Sequence, residues 1–348
     1  MNQSQVQYIG DSYFPFDKDF NKYPKFRHNL WSTPEDSSET TYLTVSHSIF
    51  EVATSEASKF LSIRSHCTGH NSIEDIAKKS GVSTNEVISL INPLIEANIL
   101  HLPIRPVSSL SSEEIRDTLF AACRIWSEQL AETYISNEIA QGKVQKTVVL
   151  GWLLESYHYI KAFPNAVEFA ANKADGKLKE ILYKYAQEEK GHEEFVAQSL
   201  VRAGVSRQEV ECSIPLVSTR TIELLMRELF EFEPCSVLLV ARVIEAAEFD
   251  EQQVEEFKKS AVENYGFEKE TFTPFFEHVR IDAELEHSEL MEKYADLLEI
   301  NSRSNLHTLV NKIHDLKHAF DLQKLEIKEY YSHVGNYFPR QFVDFFAI

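Results

Sequence analysis

Turn-forming residues are scarce in this sequence. It contains 10 Gly and 11 Pro among 348 residues, whereas Gly alone usually makes up about 7% of a globular protein. Glu, Ala, Leu and Lys are abundant instead, and these residues favour helices. The composition therefore predicts long helices rather than a turn-rich sheet protein, and the 43% hydrophobic content is enough for a packed core.

Positive charge is also in short supply. The chain has 35 Lys and Arg residues against 54 Asp and Glu residues, which gives a formal net charge of −19. A polyanion would be repelled by such a surface, so nucleic acid is not expected as a partner. A neutral or cationic substrate, or a basic peptide, is easier to accommodate.

Paired cysteines and long apolar runs are absent from the sequence. Its four cysteines lie far apart and form no C-x-x-C motif, which predicts buried thiols rather than a disulfide framework or a zinc site. The N-terminus has no basic start followed by an apolar run, so no signal peptide is expected. The apolar stretches fall short of the ~20 residues that span a bilayer. We therefore expect a cytoplasmic protein without a membrane partner. The cysteines are Cys67, Cys123, Cys212 and Cys235.

The chain is predicted to contain two folded parts joined by a linker. Its length suits about two domains of ~150 residues each. The segment PIRPVSSLSS has two prolines, a serine cluster and no hydrophobic periodicity, which is typical of a linker. The predicted divisions are an irregular arm over 1–40, a small domain over 41–102, the linker over 103–112, a helical bundle over 113–335 and a C-terminal tail over 336–348.

The small domain carries clear local signals. The alternating, β-branched run TYLTVSHSIFEVA predicts a short strand or hairpin. Ser72 with Asp75, and Ser83 with Glu86, have the spacing of helix-capping boxes, each followed by apolar residues at helical spacing. A helix, a glycine turn and a second helix beside a hairpin predict a winged-helix-like unit.

This unit is predicted to bind peptide rather than DNA. The helix that would read bases begins TNEVIS, without an Arg or Lys for a base edge. An exposed strand edge can instead pair with an extended peptide. The pattern resembles the peptide-chaperone component of pyrroloquinoline-quinone biosynthesis and related recognition domains of peptide-modifying enzymes. That resemblance implies a ribosomal precursor peptide as partner.

The second part of the chain is predicted to be all-α. Helical periodicity dominates it, no β pattern competes, and no repeat of 20–50 residues is apparent. We expect a bundle of seven or eight helices. The predicted spans are 113–137, 142–162, 164–174, 177–203, 218–231, 235–260, 271–298 and 302–331.

Several predicted helices place charged or imidazole groups on stripes that should be buried. In YAQEEKGHEEF, a carboxylate and an imidazole three residues apart continue an apolar stripe. A second stripe passes through an Arg and a Glu, and a third runs from Phe276 to Tyr294 through three polar residues. The inward-facing set is predicted to be Glu189, His192, Glu245, Arg280, Glu284 and His287.

Buried charges are costly unless they are paired or bind a metal. Glu and His side chains that face each other inside a helix bundle suit iron or manganese. The same residues could instead form a hydrogen-bonded network that holds the helices in register. Arg280 fits a metal site less well, because a fixed cation repels a metal unless it neutralises a carboxylate or holds an anionic substrate group.

Two further His-containing pairs remain open in the sequence. Glu155 and His158 lie three residues apart, and His158 shares a stripe with Lys161, so it is either a wall of the same cavity or a core histidine. His278 and Asp282 lie four residues apart on a different face from His287. We interpret this second pair as a surface hydrogen bond rather than as a pair of metal ligands.

Three segments together resemble the heme-oxygenase-like superfamily. They are GWLLESYHYIKAFP, EEKGHEE and ELEH, spread over about 200 residues. The closer branches are pyrroloquinoline-quinone synthase C, thiaminase II and the heme-oxygenase-like diiron oxidases. The resemblance implies a mainly α fold: a heme-oxygenase-like bundle of seven to eight helices preceded by the small winged-helix domain.

The diiron branch has a recurring ligand pattern of Glu-x-x-His, a later Glu, and then His-x-x-x-Asp-x-x-His. Matched by position, the resemblance implies iron, as one or two ions, with dioxygen as co-substrate. Arg280 stands where that pattern has its first His of the last motif, which puts a full two-iron site in question. The implied metal ligands are Glu189, His192, Glu245, Glu284 and His287.

These features predict a dioxygen-dependent oxidase or oxygenase that tailors a ribosomal peptide or an amino-acid-derived substrate. His158, His192 and Arg280 are the predicted catalytic residues, and a homodimer is one candidate assembly. In a cofactorless version similar to quinone synthase C, His192 and Glu245 would act as base and orienter, and Arg280 would clamp a carboxylate. Two further candidate functions are a thiaminase-like C–N hydrolase with Cys235 as nucleophile and a non-catalytic peptide-binding scaffold.

Overall fold

A computed structural model describes most of the chain. The described residues are 24, 31–32, 39–45, 48–96, 111–245, 250–298 and 303–348. Most of the predicted arm and linker lie outside them. Contacts divide the chain into two compact units, which are Met1–Ser111 with Ser302–Ser304, and Ser112–Asn301 with Asn305–Ile348.

The first unit contains an antiparallel sheet with the strand order β1-β2-β3. Its strands are β1 (Trp31–Ser32), β2 (Thr40–Val45) and β3 (Ser48–Ala53). In the β2–β3 hairpin, Thr40 lies opposite Ala53 and Val45 opposite Ser48. The strand or hairpin that the alternating sequence predicts is therefore confirmed.

Three helices follow the hairpin: α1 (Thr54–Arg64), α2 (Ile73–Ser80) and α3 (Thr84–Glu96). The capping box of Ser72 and Asp75 is present at the start of α2, and Gly81 ends that helix with φ +74°, a conformation that favours glycine. Ser83 and Glu86 exchange the predicted hydrogen bonds at the start of α3. The winged-helix and peptide-binding assignments of this unit stay predictions.

The second unit is mainly helical, as predicted. Its described helices are α4 (Ser112–Thr133), α5 (Ile135–Ala140), α6 (Lys146–Lys173), α7 (Gly176–Glu188), α8 (Glu193–Arg202), α9 (Arg207–Cys212), α10 (Val217–Phe232), α11 (Ser236–Ile244), α12 (Glu251–Tyr265), α13 (Thr273–Leu285), α14 (Leu290–Lys293) and α15 (Arg303–Ser332). Short 3₁₀ segments follow α13, α14 and α15; they are His287–Glu289, Ala295–Leu297 and Phe345–Ala347.

The long helix α6 lies at the centre of this unit and packs against α7, α8 and α10. The predicted break before Pro164 is wrong, because α6 continues through that residue. A proline in a helix interior costs about 3 kcal/mol. Pro164 and its neighbours Phe163 and Val167 are all buried, and burial of apolar surface is a favourable term that opposes this cost.

A buried carboxylate ties α6 to α10 and α15. Glu155, which is fully buried, accepts hydrogen bonds from the backbone N–H of Leu216 at 3.0 Å, Thr219 Oγ1 at 2.5 Å and Tyr331 Oη at 2.7 Å. Gly151 lies directly under the Tyr331 ring, where any Cβ would overlap the ring atoms. The missing side chain at Gly151 therefore lets the Tyr331 ring pack close to α6.

The predicted helix over 177–203 is in fact two helices. It is interrupted between Glu188 and Glu193, where Gly191 adopts φ +95°. The predicted helix over 271–298 is also interrupted, because Glu286 adopts φ +56°, a conformation that few residues other than glycine adopt. Both interruptions change the direction in which the following side chains point.

No disulfide joins the four cysteines, all of which are described. Cys67, Cys123 and Cys235 are buried as predicted, but Cys212 is exposed at the end of α9, so the prediction is wrong there. Every described helix is either too short or too polar to cross a bilayer.

Candidate metal centre

Six acidic and imidazole side chains from four parts of the chain meet inside the second unit. The interruption between α7 and α8 supplies one Glu and one His, and the residue after α11 supplies a second Glu. Helix α13 supplies a His and an Asp, and the 3₁₀ segment after it supplies the last His. The cluster consists of Glu189, His192, Glu245, His278, Asp282 and His287.

One half of the cluster surrounds His287, which is 1% exposed. Its Nδ1 atom lies 2.9 Å from Glu189 Oε1 and 3.3 Å from Glu245 Oε2. Its other nitrogen, Nε2, is hydrogen-bonded to Glu188 Oε2 at 3.3 Å. Nε2 therefore faces Glu188, and Nδ1 is the nitrogen that faces Glu189 and Glu245, where it could bind a cation once its own proton has been displaced.

The other half surrounds Asp282. Its Oδ1 atom lies 3.1 Å from His192 Nδ1, and its Oδ2 atom lies 3.2 Å from His278 Nε2. His192 Nδ1 is also 3.6 Å from Glu189 Oε2, which connects the two halves. Two overlapping sets, one of His192, His278 and Asp282 and the other of Glu189, Asp282 and His287, have ligand atoms within 4.8 Å of one another.

The atoms of this cluster are close together but are not hydrogen-bonded to each other. Although the N···O distances are short, the angles are unsuitable, and seven buried atoms lack a hydrogen-bond partner. Buried polar atoms are rarely left in this state, because each costs about 1–3 kcal/mol. Their lone pairs converge on shared space, as ligands of a cation do. The atoms are Glu189 Oε1, His192 Nδ1, Glu245 Oε2, His278 Nδ1 and Nε2, Asp282 Oδ1 and His287 Nδ1.

The electrostatics of the cluster indicate that it holds protons when no cation is bound. Burial, which is the largest cause, and the neighbouring carboxylates of Glu245 and Asp282 outweigh the opposing effect of His287 and together raise the pKa of Glu189 to about 7. Burial lowers the pKa of His287, but the contacts with Glu189 and Glu245 outweigh it and raise that pKa to about 10. Bound protons therefore offset the repulsion among three carboxylates.

Four of the six residues predicted to face inward do come together: Glu189, His192, Glu245 and His287. Arg280 and Glu284 do not, so their predicted inward orientation is wrong. The Arg280 side chain is 42% exposed and pairs with Glu277 and with Glu284, which is 62% exposed. The prediction assumed one continuous helix, but α13 ends at Leu285 and the turn at Glu286 rotates His287 away from the Arg280 stripe.

His278 and Asp282 are the site residues that the sequence interpretation misplaced. His278 is 7% exposed and does not form the surface hydrogen bond that we expected from its spacing. The stretch HVRIDAELEH places a His and an Asp four residues apart before the predicted final His. Four residues lie between Asp282 and His287, two more than in the family pattern, and the positive-φ turn at Glu286 falls within this longer segment.

A tyrosine that the sequence interpretation did not single out also contacts the cluster. The Tyr185 hydroxyl donates a hydrogen bond to Glu245 Oε1. Tyr185 lies four residues before Glu189, on the same face of α7, and this spacing is the signal that could have identified it. Burial, together with the charges of Glu245 and Glu189, raises the pKa of Tyr185. Tyr185 therefore remains a donor and fixes Glu245 at the end of α11.

His158 and Cys235 lie outside the cluster. His158 contacts Ser213 Oγ through Nε2 at 2.9 Å, on the side of α6 that faces α10. Cys235 precedes α11, whereas Glu245 follows it, so ten residues at 1.5 Å each put the two about 15 Å apart along the helix. The described residues place no cysteine thiol in the cluster, where a thiaminase-like nucleophile would be expected.

The burial of His158 predicts that the free energy of unfolding falls in acid. Burial and the nearby Lys161 lower its pKa to about 4. Because this folded-state pKa is below the unfolded value, His158 opposes unfolding above pH 6.5, and this contribution is lost as pH falls from 6.5 to 4. We expect the free energy of unfolding to fall by about 3 kcal/mol from this group over that range, as urea titrations at several pH values would measure. In the His158→Gln variant, the free energy of unfolding should fall by about 3 kcal/mol less over the same pH range. An equal fall in both proteins would contradict the lowered pKa of His158.

Comparisons with known proteins give the fold. No family model matches the chain, and no curated protein matches its sequence. A Shewanella denitrificans domain of unknown function with a heme oxygenase-like fold matches with a TM-score of 0.50 and 18% identity, over 64% of this chain and 94% of that one. A TenA homolog from Pseudomonas syringae matches with a TM-score of 0.46 and 12% identity, over 62% and 96%. The match to the Shewanella domain shows that the chain has a heme oxygenase-like fold, as its sequence predicted.

Proposed function

We propose that the chain is a metal-dependent oxidase or oxygenase whose cluster holds iron and uses dioxygen. The observation that carries this proposal is the convergence of seven buried nitrogen and oxygen atoms without hydrogen-bond partners. A structural hydrogen-bond network would satisfy these atoms, whereas a metal site requires that their lone pairs remain available.

The donor set fits iron better than the other common metals. It consists of three carboxylates and three imidazoles, with no thiolate among the described ligands, as in the carboxylate-bridged metal sites of helix bundles. Asp282 belongs to both overlapping sets, so the residues present could hold two ions. Glu189 and His287 would belong to one ion, and His192 and His278 to the other. Iron held there would supply the electrons and the binding site for dioxygen.

The protein's own residues around the ligands have defined tasks. Glu188 accepts a hydrogen bond from His287 Nε2 and so orients the ring with Nδ1 towards the metal position. Tyr185 holds Glu245 through a hydrogen bond, at a position where the helix has already ended. The low exposure of Glu189, His192 and His287 excludes bulk water from the reacting centre.

We propose an amino-acid-derived compound or a ribosomal peptide as the substrate. Support comes from the first unit, in which β3 is an edge of the described sheet and can pair with an extended peptide. In this proposal the first unit binds the peptide and the second unit performs the oxidation. The expected role of Arg280 as a substrate clamp is not retained, since its side chain pairs with Glu277 and Glu284 at the surface.

The proposed function can be tested without knowing the substrate. Protein loaded with ferrous iron under anaerobic conditions is mixed with dioxygen, and oxidation of the iron is followed by its absorbance. We expect single-turnover oxidation at least tenfold faster than in the His287→Gln variant, which lacks the Nδ1 ligand. Equal rates for the two proteins would contradict an iron site that uses dioxygen. His158→Gln, whose imidazole lies outside the cluster, is the control and should behave as the native protein.

A further inference from the structure

A pocket of about 250 Å³ lies between α6 and α10, apart from the six candidate metal ligands. It includes His158 and Lys161, two residues of the motif GWLLESYHYIKAFP, which the proposed function does not use. Pockets for drug-sized ligands are usually about 300–1,000 Å³, so this one suits a smaller molecule. Among its lining residues are His158, Lys161, Asn165, Pro215, Arg220 and Glu223.

Two basic side chains line the pocket, and the described part of the chain shows no ion pair of either one. The Lys161 ammonium donates to Tyr157 Oη, a neutral group, at 3.1 Å. Within the described residues, neither Lys161 nor Arg220 forms an ion pair. The acid in the lining, Glu223, is already paired with Arg227 at 3.0 Å. Two unpaired cations in one pocket are unexpected in a chain with 54 acidic and 35 basic residues, and they favour an anionic ligand.

The hydrogen bonds of Ser213 determine the protonation of His158. The Ser213 hydroxyl has one proton, which it donates to the Val210 carbonyl at 2.7 Å. The same hydroxyl oxygen lies 2.9 Å from His158 Nε2 and must therefore accept a hydrogen bond from that nitrogen. His158, which lines the pocket, is thus protonated on Nε2, and because burial keeps its ring neutral, Nδ1 is a hydrogen-bond acceptor.

We propose that this pocket binds a small hydroxycarboxylic acid. Arg220 and Lys161 bind its carboxylate, and His158 Nδ1 accepts a hydrogen bond from its hydroxyl group. An amino acid fits less well, because its ammonium group would be repelled by the same two cations. A carboxylate without a hydroxyl group would leave the His158 acceptor unused.

The pocket adjoins the metal centre through one residue. Tyr159 lines the pocket. Its pKa is raised mainly by burial and then by the nearby charges of Glu245, Glu189 and Asp282. Tyr159 therefore lies close to both sites. None of the six candidate metal ligands lines the pocket, so binding there does not depend on the proposed function and can be measured in the metal-free protein.

Calorimetric titration of the metal-free full chain with lactate and with propionate tests the proposal. The two probes share a carboxylate and differ in the 2-hydroxyl group. We expect lactate to bind at least threefold more tightly than propionate. Arg220→Met and Lys161→Met should each weaken lactate binding at least tenfold. Both side chains are exposed, so these variants are expected to fold.

Two controls make the result specific. Lys173→Met removes the same charge from the same helix, but Lys173 is paired with Glu231 at 3.4 Å, and lactate affinity should stay within twofold. His158→Ala should lower lactate affinity to that of propionate and leave propionate affinity unchanged. Unchanged lactate binding in both Arg220→Met and Lys161→Met would overturn the proposal, as would equal affinities for the two probes in the native protein. Failure of the protein to bind iron would leave these measurements unaffected.

Discussion

Replacing Asp282 by Ala is expected to remove most of the iron that the protein binds, whereas replacing Glu284 by Ala is expected to leave the iron content unchanged. Asp282 is the residue shared by the two ligand sets and contacts both His192 and His278. Loss of a residue that only supports a ligand typically costs 10–100-fold in metal affinity. Loss of a ligand shared by both sets should therefore cost at least about 100-fold.

Glu284 is a matched control for this measurement. It lies on the same helix two residues away, carries the same charge, and pairs with Arg280 at the surface. Both variants would be loaded with ferrous iron, desalted and analysed for metal by mass spectrometry, with Mn²⁺ titrations giving affinities. Retention of iron by Asp282→Ala, or its loss from Glu284→Ala, would show that the ligand set derived from the geometry is incorrect.

The second large effect concerns thermal stability in the presence of metal. A ligand that binds only the folded state at 1,000 times its Kd stabilises that state by about 4 kcal/mol. For a unit of 150–250 residues this corresponds to a rise in Tm of about 8–16 °C. We expect Mn²⁺ to raise the Tm by this amount at pH 8, as differential scanning fluorimetry would measure.

The same experiment has a predictable pH dependence. Because the pKa of Glu189 in the folded metal-free protein is about 7, above its value of 4.5 in the unfolded chain, folding takes up a proton between these pH values. The stability from this proton is complete below pH 4.5 and is lost as pH rises through 7. A metal must displace the same proton, so the stabilisation by Mn²⁺ should be small at pH 5.5 and increase towards pH 8.

His287→Gln provides the comparison for the thermal measurement. Its Nδ1 contacts both Glu189 and Glu245, so the variant should lose most of the Mn²⁺-dependent rise in Tm at pH 8. His158→Gln should keep it, since His158 lies outside the cluster. A rise of equal size in His287→Gln, or a rise in the native protein that does not change with pH, would contradict the assignment of Glu189 and His287 as ligands.

Charged groups that continue the apolar stripe of a predicted helix were predictable from the sequence, because such groups are conspicuous. Glu189, His192 and Glu245 interrupt such stripes, and the structure brings all three together with His287. The same reasoning located the two capping boxes of the first unit, where the signal lies within four residues.

The error at Arg280 and Glu284 arose because the backbone departs from helical periodicity before His287. A stripe drawn through Arg280, Glu284 and His287 requires an unbroken helix, and α13 ends before His287. Nothing in the local composition of HVRIDAELEH indicates the end of α13. Glu286 favours helices, and the segment has no glycine that would predict a turn. After the turn, His287 contacts Glu188, Glu189 and Glu245, which are distant in the sequence, and a single sequence does not display such contacts.

The positive-φ turn at Glu286 determines how this centre can vary. The Glu286 carboxylate pairs with Lys293 at the surface and is absent from the cluster, yet its backbone conformation sets the position of His287. Gly or Asn would adopt the same conformation readily, whereas Val or Ile would oppose it. A substitution at Glu286, which is not a candidate ligand, can thus preserve or abolish the metal centre. A search for homologues should therefore allow a variable number of residues between Asp282 and His287.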